Sequence, residues 1–139
     1  MHKLYFFILP ILIFMTTTIN CNSQDFVRRI DLHVIPLHYV FKKSILPSEV
    51  KKNAKVKITL KESMIKLEMH DFLNLIKEID EKSNEEIAED YRIVCIIRKF
   101  IGKEILYFNQ FGDFKYKGKT YKNELLKSFV FDHLPESCK

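Results

Sequence analysis

The stretch YRIVCIIRKF, Tyr91–Phe100, decides the fold. Its middle, Ile93–Ile97, is five consecutive apolar residues, all β-branched except Cys95. Such a run, without glycine or proline, reads as a strand. Apolar side chains at both odd and even positions mean that both faces meet protein, so the strand belongs in the middle of a sheet.

Reading outward toward the C-terminus, KEILYFNQF (103–111) is a second strand, joined to the first by a short turn at Ile101-Gly102-Lys103. GDFKYKGKTYKN (112–123) reads as a further hairpin, tight at Lys117-Gly118. In that register Phe114 faces Tyr121 and Tyr116 faces Lys119, which puts the three rings on one side of the sheet. Lys115 and Lys122 point to the other side. NELLKSFVFDHLP (123–135) then changes to helical spacing, with Asn123 as cap, Leu126, Phe129 and Val130 as the apolar stripe, and Pro135 as the stop.

Toward the N-terminus, SNEEIAED (83–90) is an acidic turn or short helix. SMIKLEMHDFLNLIKEIDEKS (63–83) has helical spacing through Ile65, Met69, Phe72, Ile76 and Ile79, with Ser63 as cap; because Leu67 is off that stripe, the alternative is a strand through Ile65, Leu67 and Met69 with the helix starting at Asp71. KVKITLK (55–61) alternates cleanly, with Val56, Ile58 and Leu60 inward and the lysines and Thr59 outward. SILPSEVKKN (44–53) is a connection. RIDLHVIPLHYVF (29–41) alternates as well, but Pro36 has no N–H to give a ladder, so it is expected as an edge strand bent near Ile35–Pro36. The expected fold is therefore α+β: an antiparallel or mixed sheet of about five strands with two helices packed on one face.

The N-terminus has a different character. His2 and Lys3 precede Leu4–Met15, a run of twelve uncharged, mostly apolar residues, and no charged residue follows until Asp25. This is the layout of a secretory signal, and the run is shorter than the about 20 residues of a membrane-spanning helix. Two processing routes are open. Cleavage after Ser23, with small residues at Ser23 and Cys21, makes residues 1–23 a signal peptide and residues 24–139 a single α+β domain. Cleavage before Cys21, removing residues 1–20, leaves Cys21 as a lipid-bearing first residue. The sequence CNSQ (21–24) after an apolar leader resembles the start of small bacterial lipoproteins and secreted proteins. That resemblance implies lipidation at Cys21 and an extracytoplasmic location, membrane-tethered or secreted and periplasmic. Thr18-Ile19-Asn20 departs from the leucine and small residues usual before such a cysteine. FGDFKYKGKTYKNELL (111–126) also resembles stretches of small secreted bacterial proteins, and that likeness implies no activity.

Several chemistries lack their residues. Only Gly102, Gly112 and Gly118 are glycines, too few and too dispersed for a phosphate-cradling loop. His33, His38, His70 and His133 lack metal-ligand spacing, and no serine occupies a nucleophile elbow. Asp132 and His133 are neighbours in sequence, which on a helix point apart. Catalytic residues, cofactor and metal are accordingly expected to be none. Acids crowd Glu78–Asp90, a solvated run or an acidic docking patch for a basic partner. With Cys21 processed, Cys95 and Cys138 remain as a candidate disulfide, closing a 44-residue loop and contributing roughly 4 kcal/mol in a chain-entropy account. The alternative for Cys95 is a small buried hydrophobe.

The chain has 23 Lys and Arg against 18 Asp and Glu, a net charge of +5. Lysines cluster in residues 42–66 and again at Lys115, Lys117, Lys119 and Lys122. The second group, interleaved with aromatics, is the candidate contact for an anionic lipid or glycan surface; export argues against nucleic acid. The expected function is a non-enzymatic extracytoplasmic domain binding a protein or envelope component, inhibitor- or immunity-like among the options. A small enzyme with a fold-assembled site and a structural envelope protein are the alternatives.

Overall fold

The computed structural model describes residues 27–61 and 88–139. Six antiparallel strands form one sheet: β1 (Val27–Val34), β2 (Val56–Lys61), β3 (Tyr91–Lys99), β4 (Lys103–Asn109), β5 (Phe114–Tyr116) and β6 (Lys119–Tyr121). Their order across the sheet is β2-β1-β3-β4-β5-β6. Among the described residues two helices, α1 (Pro47–Asn53) and α2 (Glu124–Asp132), and a 3₁₀ turn at Glu136–Cys138 join the sheet in an α+β arrangement. The expected helix at 63–83 and most of the acidic run lie outside the described residues.

β3 is interior, and its two parities feed two cores. Ile93, Cys95 and Ile97 pack with Ile30, Leu32, Leu106, Phe108 and Phe114, under Leu126 and Val130 of α2. Val94 and Ile96 pack on the opposite face with Ile35, Ile45, Tyr91 and Val50 of α1. A register shift between Tyr91 and Ile93 rotates Tyr91 onto this second face. α1, read in the sequence as a connection, starts on Pro47 and buries Val50 alone; Glu49 Oε2 reaches back to accept from Leu46 N–H at 3.2 Å. α2 is capped as expected, with Asn123 Oδ1 accepting from Leu126 N–H at 3.0 Å.

The last hairpin has the expected register, Phe114 opposite Tyr121 and Tyr116 opposite Lys119. The rings of Phe114 and Tyr121 stack at 5.8 Å between centroids. Lys117 and Gly118 take φ of 48° and 80°, the left-handed pair that a two-residue turn matched to strand twist demands.

Two expectations need correction. β1 is not an edge strand: it lies between β2 and β3, and among the described residues β2 is the edge. The strand ends at Val34, so Pro36 follows the ladder rather than interrupting it, and Leu37 and Tyr39 belong to the connection. The Cys95–Cys138 bridge is also not formed; both are buried free thiols. Both belong to the core under α2. Cys95 is opposite Leu32, whereas Leu37 N–H bonds the carbonyl of Cys138, beyond the point where Ile35 N–H bonds Arg92.

Candidate anion-binding face

The registers place four cations in one row across four strands. Lys61 of β2 is opposite Arg29 of β1, Arg29 is opposite Arg98 of β3, and Arg98 is opposite Lys103 of β4. All four project from the same face, the one carrying Val94 and Ile96, because side chains two residues apart share a face. Directly opposed like charges in neighbouring strands are unfavourable, by a few tenths of a kcal/mol or more per pair. Three such pairs in succession are a cost that packing alone does not explain.

One carboxylate offsets the middle of the row. Asp31 is 1% exposed and sits on the same face as Arg29 and Arg98. Its Oδ2 accepts from Arg98 Nε at 2.8 Å and faces Arg29 Nε at 3.3 Å, and its Oδ1 accepts from the Thr59 hydroxyl at 2.9 Å. Burial alone would raise its pKa. The hydrogen bonds from Arg98 and Thr59, with the two arginine charges, outweigh that and hold the carboxyl below its ordinary range. Asp31 thus positions two guanidinium groups that remain 47% and 41% exposed. At the ends of the row, Lys61 and Lys103 are exposed and have no carboxylate partner among the described residues. Farther along the same face stand Lys57 and half-buried His33. Burial first, then the charges of Lys51 and Lys57, lowers the pKa of His33 despite the opposing pull of Asp31.

The lysines singled out in the sequence do not form one patch. Lys115 is half-buried on the face of the row, opposite Tyr107, while Lys119 is opposite Tyr116 on the other face. Lys117 is at the turn, its ammonium 4.9 Å from the Tyr116 ring centre and 3.9 Å from Glu104 Oε2. Lys122 is exposed beyond β6. Of this group, Lys117 lies at the same end of the sheet as the cation row, since Glu104 is next to Lys103.

Other polar clusters serve the fold. Arg92 is buried, ion-paired with Asp90, hydrogen-bonded to the Tyr39 carbonyl at 2.8 Å and stacked over Phe41, which pins the connection after β1. Asp90 also accepts from Ile45 N–H, so this end of the acidic run is structural. Asn109 is fully buried and accepts from Phe111 and Asp113 N–H, closing the β4–β5 turn. Burial drives the pKa of the Cys95 thiol far up, which removes it as a nucleophile. No group of three or more metal-ligating side chains exists among the described residues.

Arg29, Asp31 and Arg98 were not legible as a site in the sequence. The only signal was an acid on the polar side of the RIDLHV alternation, and an edge strand would have left it solvated. Comparison with protein-family models, with curated proteins and with solved structures finds no match to this chain.

Proposed function

We propose that this domain is a non-catalytic extracytoplasmic module that holds an anionic component of the cell envelope on its cation row. The observation that carries the reading is the Lys61–Arg29–Arg98–Lys103 row, with Asp31 as the one carboxylate bonded to it among the described residues. An anion bridging the row would relieve the three like-charge neighbours at once, and the exposed guanidinium edges suit phosphate or carboxylate oxygens.

The leader reading supports an envelope location. Processing either tethers the domain through an acylated Cys21 or releases it after Ser23, and both routes deliver it to the envelope. The intact mass of the mature protein separates the two: an acyl mass on a chain beginning at Cys21, or an unmodified chain beginning at Gln24.

The binding test uses a soluble polyanion, heparin, and the protein processed after Ser23. Binding is expected to weaken as salt rises, since exposed charges are screened beyond about 8 Å at physiological ionic strength. Replacing Lys61, Arg98 and Lys103 together by Gln should weaken it at least ten-fold. Replacing Lys115, Lys119 and Lys122 by Gln should cost much less. Equal losses in the two triple variants would overturn the assignment to the row.

A further inference from the structure

Beside the cation row, the β3–β4 hairpin ends in Phe100 and Ile101, which are 64% and 61% exposed. Two adjacent large apolar side chains at the apex of a tight turn contribute nothing to either core. They project past the last ladder pair, Arg98 opposite Lys103, so the tip is apolar and its shoulders are basic. Other connections reach the same end of the sheet. The Lys117-Gly118 turn lies there, next to Glu104, and so do Arg28 and Arg29 at the start of β1. The chain itself enters there, because Val27 is opposite Lys99. Five residues separate Cys21 from Val27, a reach of at most about 20 Å of extended chain.

We propose that this end docks on a bilayer of anionic lipid, with Phe100 and Ile101 entering the interfacial region while Lys61, Arg29, Arg98 and Lys103 hold the headgroup phosphates. The occupant is chosen by complementarity on both counts. A soluble anion would use the cations and leave the apolar apex in water, whereas a lipid surface satisfies both. A tether at Cys21 would bring the same end to the membrane, although docking does not require it. The inference rests on the anion-binding reading of the row and adds the lipid and the inserting residues.

The sequence contains no tryptophan, so a single introduced Trp reports its own surroundings. Phe111, 58% exposed in the β4–β5 turn, lies at the other end of β4 and serves as the control site. Phe100→Trp and Phe111→Trp are each made in the processed, unacylated protein and mixed with vesicles of phosphatidylcholine, with or without phosphatidylglycerol. On the anionic vesicles the Trp at 100 should shift to the blue and be quenched by brominated acyl chains, while the Trp at 111 stays unchanged. Phe100→Ser with Ile101→Ser should weaken binding to anionic vesicles at least ten-fold and leave heparin binding within two-fold. A silent Trp at 100, equal quenching at both sites, or equal binding to neutral vesicles overturns insertion. If insertion fails while the row variants still lose heparin, the anion-binding reading stands alone. If the row variants keep heparin, that reading fails first.

Discussion

Asp31 keeps its charge while almost wholly buried because Arg98, Thr59 and Arg29 all converge on it. Asp31→Asn preserves the shape but leaves the two arginines facing each other without a counter-ion. Both guanidinium groups reach solvent, so the loss is expected to be less than for a fully buried pair, about 2 kcal/mol by urea denaturation. The pH dependence follows from the depressed pKa. The stabilisation is complete above the unfolded carboxyl value, near 3.9, and disappears as pH falls through the lower folded value, so Asp31→Asn should flatten the acid limb. His33 acts in a different window. Its folded pKa is below 6.5, so between these values the unfolded chain takes up a proton that the native one refuses. Stability should therefore fall as pH drops below about 7, through 6.5 toward the folded value. His33→Gln should remove that slope; urea midpoints measured from pH 5 to 8 decide, and an unchanged slope contradicts the assignment.

The β5–β6 hairpin was legible because its register is fixed within eight residues, by Lys117-Gly118 and the alternation on either side of them. The place of β1 was not legible. Its neighbours are β2, across the connection that holds α1, and β3, some sixty residues away in sequence, and alternation alone does not tell a solvated edge from a buried face whose polar residues are paired. α1 was missed for a related reason: seven residues with one buried apolar side chain leave almost no periodic signal. Because the local turn fixes the hairpin, its energetics should be local too. Gly118→Ala meets no neighbouring atom, so its cost is the left-handed backbone alone, about 1 kcal/mol. A double-mutant cycle on Phe114 and Tyr121 should return a coupling of about 1 kcal/mol from the stacked rings. A coupling near zero would mean that each ring is held by the core rather than by its partner.

At the scale of the molecule, β3 ties both cores together, and the two thiols sample that arrangement differently. Cys95 is in the interior strand, flanked by β1 and β4 and packed beneath α2. No local opening exposes it without parting the sheet. Cys138 is buried too, but it sits in a 3₁₀ turn outside the sheet, where its carbonyl bonds Leu37 N–H and its own N–H bonds only as far back as Pro135. Fraying of that short segment would free it while the sheet stays intact. Thiol labelling of the processed protein carrying Cys138→Ala, followed against denaturant, should give for Cys95 an opening free energy and denaturant slope equal to those of global unfolding. The Cys95→Ala protein should label faster at Cys138, with a slope well under the global one. Equal slopes would make the C-terminal turn part of the same cooperative unit. Two thiols that stay unreactive in the otherwise unaltered protein even when the chain is fully unfolded would mean a bridge has formed, and would contradict the free state of the two cysteines.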